Sequence, residues 1–333
     1  MSLRRQSCEI CFRGRRKCDL TYPVCRRCQT RNKQCVYAYP PPDPNEAEAR
    51  RSMAVARPNV NPGPAHPVEI EAEPPITIAW IFNLLRDSPR TFAAKGENVF
   101  INKILLLQRR ADPLLTAFGI CAAAASVNER NRPVLFRAVD AQMTDALLFA
   151  PPAEDEDLLA MDLARFQAAV LYQTIRLFHG GPEQRDISER QEYLMRAHAL
   201  RLLARVFHAE NGQTPDWETW LLHESVRRTV FVAFKLYTIY AVARHGTCTE
   251  MAALDMLPVS AAPAEAWSSK DSYDQWRASN NEAAIIGPIR DTTTASGFFE
   301  DLRLVRRVHL DSFQGVVLSA TCRSVSFAPA VIA

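Results

Sequence analysis

Residues 8–35 read CEICFRGRRKCDLTYPVCRRCQTRNKQC, with cysteines at positions 8, 11, 18, 25, 28 and 35. The spacing is C-x2-C-x6-C-x6-C-x2-C-x6-C, so one C-x2-C-x6-C half is followed by a second copy of itself. A C-x2-C turn brings two sulfurs to one tetrahedral ion, which makes two such pairs with equally spaced partners a metal-ligand arrangement. Six thiolates cannot fill two separate four-ligand zinc sites. They suffice if two sulfurs each bridge both metals in a fused two-zinc cluster. The alternatives are one four-cysteine site with two spare thiols, or three disulfides. Disulfides need an oxidising compartment, yet the leading residues MSLRRQSCEICFRGRRK contain no apolar stretch of a secretory signal. Metal is the expected reading.

Charge is distributed unevenly along the chain. Residues 1–39 hold ten Arg or Lys against two acids, Glu9 and Asp19, a balance of +8. Two zinc ions with six thiolates would take away two charges and leave the metallated module at +6. The other 294 residues carry 30 basic and 35 acidic side chains, which the whole-chain value of +3 conceals. Concentrated positive charge on a small rigid module is the footprint of a phosphate-backbone binder. A module this short buries no core of its own, so the metals must supply its folding energy.

The six cysteines, the basic run Arg13-Gly14-Arg15-Arg16-Lys17, Asp19 and Pro23 together resemble the fungal zinc binuclear cluster family of transcription factors. The resemblance implies two zinc ions, with Cys8 and Cys25 bridging both. Cys11 and Cys18 would complete one site, and Cys28 and Cys35 the other. It implies that each C-x2-C opens a short helix, with Pro23 in the loop joining the halves. The first helix would enter the major groove of double-stranded promoter DNA and place Arg15 on a guanine of a CGG-like triplet, where its fork suits O6 and N7. Arg16 and Lys17 would hold phosphates, and the run from Arg13 could serve DNA binding and nuclear import alike. Phe12 and Gly14 stand where the family usually has basic residues. The function implied is zinc-dependent, sequence-specific regulation of RNA polymerase II genes in the nucleus, with a biosynthetic gene cluster as the family-level expectation.

Residues 40–75 hold ten of the 22 prolines and are expected to form an extended linker. Many relatives dimerise through a coiled coil here, but Glu46 to Arg57 offers no a/d heptad. Either the protein reads a single half-site or its C-terminal part makes the dimer. From residue 76 to 333 the pattern is helical, an all-α regulatory domain of seven to ten helices. Leu159, Leu163, Phe166 and Val170 recur at helical spacing, as do Tyr193, Ala197, Leu200, Ala204 and Phe207, and Val226, Val230, Ala233, Tyr237 and Tyr240. Gly180-Gly181-Pro182 and Asn211-Gly212 read as breaks between helices. The longest apolar run, Val230 to Ala243, is too short to span a bilayer and carries Lys235, so no membrane partner is expected.

Trp217 to Phe231 is similar to the W-x-x-x-E-S-x-R-R-T-x-F stretch of the fungal regulatory domain, and Leu257-Pro258 followed by Trp267 resembles the element after it. This resemblance implies that the helical domain contacts the transcription machinery or co-regulators. Glu224 and Arg228, at i and i+4, can pair on one helix turn, which favours a structural ion pair over a second DNA patch. His223-Glu224 does not complete an H-E-x-x-H zinc site, because position 227 is Arg. No G-x-S-x-G, Walker A or glycine fingerprint occurs, so no enzymatic activity is expected. Cys121, Cys248 and Cys322 read as incidental thiols. A zinc protein–protein adaptor is the competing class, but it leaves Arg13 to Lys17 unexplained and its gaps usually alternate and include histidine.

Overall fold

A computed structural model of the chain describes residues 8–14, 16–19, 25–31, 33, 35, 77–108, 111–147, 156–209, 215–246, 251–283, 292–302 and 310–321. The chain divides into two compact units, Met1–Pro67 and Val68–Ala333. The expected linker at residues 40–75 lies outside the described residues, as do Asn211-Gly212, Cys248 and Cys322.

In the first unit two short helices follow the C-x2-C pairs, α1 (Glu9–Arg13) and α2 (Arg26–Thr30). The second unit is helical: α3 (Ile78–Arg86), α4 (Ser88–Lys95), α5 (Lys103–Gln108), α6 (Asp112–Ala124), α7 (Arg132–Leu147), α8 (Glu156–His179), α9 (Gly181–Ala209), α10 (Trp217–His245), α11 (Met251–Asp255), α12 (Lys270–Ala283), α13 (Ala295–Leu302) and α14 (Ser312–Thr321). These are twelve helices among the described residues, above the expected seven to ten. The surplus comes from one- and two-turn pieces such as α5 and α11, too short to show periodicity. A small antiparallel sheet, β1 (Pro258–Ser260) with β2 (Thr292–Thr294), pairs Val259 with Thr293. Three-residue strands leave no alternating signal in a sequence. No helix among the described residues is long and apolar enough to cross a membrane.

The long helices α8, α9 and α10 pack on one another, with α6 and α7 against α8. Gly180 makes the sharp break between α8 and α9. A β-carbon there would lie 2.5 Å from the Arg176 carbonyl oxygen, and Gly181 beside it has φ +76°, a conformation glycine adopts without steric cost. Helix α10 starts where the Asp216 carboxylate accepts from the Thr219 N–H at 2.8 Å and stops at left-handed Gly246.

The three apolar repeats fared differently. Leu159, Leu163, Phe166 and Val170 on α8 are buried, as are Val226, Val230, Ala233, Tyr237 and Tyr240 on α10. On α9 the repeat marks the wrong face. Tyr193, Leu200 and Phe207 are 68%, 52% and 76% exposed, while Met195, Ala199, Leu202 and Val206 on the opposite side enter the core. Both faces of this helix carry apolar residues, and periodicity identifies a face without naming what covers it.

Helix α10 is buried nearly all round from Trp220 to Tyr240, including Glu224, Arg227, Arg228 and Lys235. Buried charge is tolerable only when paired and hydrogen-bonded. Glu224 accepts from Arg227 Nε at 2.9 Å and from Arg228 Nε at 3.0 Å, and Arg228 Nη1 also reaches Asp311 at 3.1 Å. The Arg228 guanidinium lies over Trp267 at 4.0 Å and Phe313 at 4.6 Å. Trp217 Nε1 donates to the Ala266 carbonyl at 3.0 Å, and Asn102 donates to the carbonyl of Trp267 at 2.7 Å. The two segments singled out in the sequence thus fold onto each other, joined by Arg228 over Trp267 and by the Trp217 hydrogen bond to Ala266.

A second buried group joins α8 to α9. Asp162 faces His198 Nε2 at 3.2 Å, Arg205 at 3.3 Å and Arg201 at 3.8 Å. Burial pushes the Asp162 carboxyl up, but the His198 hydrogen bond and the charges of His198, Arg201 and Arg205 together hold it below its ordinary value.

Replacing Glu224 by Ala removes the carboxylate shared by two buried guanidinium groups and is expected to cost about 3–5 kcal/mol of unfolding free energy, read by denaturant titration. Arg228→Lys should fall well short of wild type too, because an ammonium cannot stack on Trp267 while bridging two carboxylates. Asp162 contributes stability that is fully present above its unfolded value of about 3.9 and is lost as pH falls through the lowered folded value. Asp162→Asn should therefore destabilise at neutral pH, with the gap to wild type closing in acid.

Candidate metal centre and nucleic-acid interface

The cysteine module is built twice from one local plan. Helices α1 and α2 each begin one residue after the first cysteine of a C-x2-C pair. In each half a backbone N–H five residues on then closes over the second cysteine. Arg16 N donates to the Cys11 carbonyl at 2.9 Å, and Lys33 N donates to the Cys28 carbonyl at 3.0 Å. The duplicated spacing is thus a duplicated fold.

Cys8, Cys11, Cys25 and Cys28 are buried and Cys18 and Cys35 half-buried, all as free thiols. Their sulfurs form two groups of four, Cys8, Cys11, Cys18, Cys25 and Cys8, Cys25, Cys28, Cys35, each with its sulfurs within 4.8 Å of one another. Cys8 and Cys25 belong to both. The separations Cys8–Cys25, Cys8–Cys28 and Cys11–Cys25 are each 3.8 Å. A disulfide needs about 2.0 Å, whereas a tetrahedron with Zn–S bonds of about 2.3 Å has edges of about 3.8 Å. The sulfur spacing fits zinc tetrahedra and excludes S–S bonds.

The protonation energetics follow the same duplication. Burial raises all four thiols of the two C-x2-C pairs. At Cys8 and Cys25 the backbone amides of Cys11 and Cys28, together with hydrogen bonds from neighbouring thiols, outweigh it and bring the thiols below their ordinary value. At Cys11 burial and the neighbouring sulfurs push the thiol up to about 12, and Cys28 is raised in the same way. Cys121, buried in the second unit, is pushed up to about 12 by burial, which makes it an inert core thiol.

The residues proposed to meet DNA surround this centre. Arg13, Arg16 and Lys17 are exposed, and so are Arg26, Arg31 and Lys33 in the second half. Arg15 lies outside the described residues. The role of Asp19 was not readable from spacing. Its carboxylate accepts from the Arg26 backbone N–H at 3.2 Å, satisfying an otherwise orphaned donor at the start of α2 and tying the two halves together without metal.

Zinc binding must displace the protons of these thiols, so affinity should fall with falling pH and protons should be released on loading, measurable by calorimetry in buffers of different ionisation heat. A strong chelator at neutral pH should erase protection of the α1 and α2 amides in hydrogen exchange and leave α8 to α10 protected.

The description fungal Zn(2)-Cys(6) binuclear cluster domain matches residues 6–44. Over its length the chain is 26% identical to transcription factor gsfR2 of Penicillium aethiopicum across 358 aligned residues, covering 84% of each protein. No solved structure matches. Residues 6–44 thus match a two-zinc, six-cysteine domain of the kind found in DNA-binding fungal transcription factors, and the chain as a whole is similar to one such factor.

Proposed function

We propose that this protein is a nuclear regulator of RNA polymerase II genes that reads CGG-like triplets through α1. Cys8 and Cys25 bridge the two zinc ions, Cys11 and Cys18 complete one site, and Cys28 and Cys35 the other. Two four-sulfur groups that share these two cysteines are the observation carrying this assignment. Arg15 contacts guanine, while Arg13, Arg16 and Lys17 hold the flanking phosphates. Support comes from the place of Arg16 and Lys17 just beyond α1, where the chain closes back over Cys11, and from the exposure of Arg13, Arg16 and Lys17.

The helical unit is the regulatory part. Arg227 and Arg228 are sequestered by Glu224 and Asp311, so this basic pair is spent on folding and is unavailable to phosphate. Its contribution is contact with the transcription machinery or co-regulators. Likeness along most of its length to a fungal transcription factor supports this division of labour, and control of a biosynthetic gene cluster is the role we assign.

Selection of random duplex DNA on the zinc-loaded full chain should enrich a CGG-like triplet, and enrichment should vanish with chelator. Arg15→Ala should cost about 1–3 kcal/mol and flatten the guanine preference. Lys17→Ala should weaken all sequences alike and reduce the salt slope by about one. An Arg15 variant that loses affinity equally on every sequence would remove that residue from base reading.

A further inference from the structure

Among the described residues, the outward face of α9 takes no part in the core of the helical unit. Tyr193, Ala197, Leu200, Ala204 and Phe207 are all exposed on it, and their spacing of four, three, four and three residues is the a/d repeat of a helix-pairing stripe. The large members are 52–76% exposed. Its opposite face is already committed to the protein's own core through Met195, Ala199, Leu202 and Val206.

The stripe is self-complementary in one direction. Read either way it runs aromatic, alanine, leucine, alanine, aromatic, so rotation about Leu200 sets Tyr193 of one copy against Phe207 of the other, Ala197 against Ala204, and Leu200 against itself. The alanines let the helix axes approach closely and the rings close each end. Charge selects the same direction. Residues 181–194 carry Glu183, Asp186, Glu189 and Glu192 against two arginines, whereas residues 195–209 carry Arg196, Arg201 and Arg205 and no acid. An antiparallel pair sets the acidic half of each helix beside the basic half of the other. A parallel pair would instead set the basic halves together and stack Arg190, one heptad step before Tyr193, on its own copy. Arg201, which nears its copy at the axis, is drawn back within 3.8 Å of Asp162. An open groove of about 430 Å³ runs along the stripe between Leu200, Ala204 and Phe207 on one side and Arg227 and Pro258 on the other, giving room for side chains of the opposing helix.

We propose that α9 is the interface with a second copy of this chain, an isologous antiparallel helix pair with its two-fold axis at Leu200. This supplies the dimer that residues 46–57 cannot, and it stands whether or not Arg15 reads guanine. Each assembly would carry two cluster modules, raising the effective concentration of the second at a paired site.

Sedimentation equilibrium on the zinc-loaded full chain, from about 1 to 100 μM, a range chosen to bracket weak helix-pair interfaces, should show mass rising from 37.4 kDa towards twice that value. Leu200→Glu should raise the dissociation constant by about 30-fold or more, the effect of a central hot-spot residue, and Phe207→Lys should act in the same direction. Both residues are exposed, so circular dichroism and melting should match wild type. Leu200→Cys should cross-link copy to copy under mild oxidation, and a Tyr193→Cys, Phe207→Cys double variant should do so where either single variant does not. A wild-type chain that stays monomeric over that range overturns the proposal. So does a dimer untouched by Leu200→Glu, or one in which Tyr193→Cys alone cross-links efficiently.

Discussion

Charge cannot be buried without its opposite, and both units of this protein are arranged around that constraint. In the first, six sulfurs crowd together at separations of 3.8 Å in three of the pairs. Thiolates at that distance repel, and only divalent cations between them make the arrangement favourable. The metals replace a hydrophobic core that some thirty residues could not build. In the second, two arginines sit within the most buried helix and are held by Glu224 and Asp311. Opposite charge organises each unit, once through metal and once through carboxylate.

The cost of this design differs between the units. Ion pairs inside a helical core seldom add net stability over an apolar equivalent, but they punish every wrong arrangement. Arg228 illustrates this, since its guanidinium meets Glu224 on its own helix, Asp311 on the approach to α14, and the rings of Trp267 and Phe313. Three separate stretches of chain must converge for that group to be satisfied, so it acts as a register mark for the fold. The cluster module has the same logic in a smaller space. Cys8 and Cys25 each serve both four-sulfur groups, so neither half reaches its geometry without the other.

Much of the module was legible in the sequence, because a thiol ligand set is written as spacing and a helix start follows from the turn that spacing demands. The Glu224–Arg228 pair was legible as well, at i and i+4. Its neighbours were not, since Asp311 lies 83 residues away and only folding brings it near. Helix α9 is the instructive failure. Tyr193, Ala197, Leu200, Ala204 and Phe207 form as regular an apolar repeat as any in the chain, yet the core took the other side, where Met195, Ala199, Leu202 and Val206 recur at the same spacing and are buried.

By itself the sequence determined that the six-cysteine frame is a metal-ligand arrangement, the concentration of positive charge beside it, and the helical character of the remainder, while two zinc ions were implied by the family resemblance that frame carries. These are local properties, set by residue type and spacing along one stretch. The tertiary structure alone decided which faces are buried, that Arg227 and Arg228 are interior rather than available to DNA, that Asp19 caps α2, and that an apolar stripe remains uncovered on α9. Each of those depends on groups distant in the chain, and burial belongs to the assembled neighbours of a residue rather than to the residue.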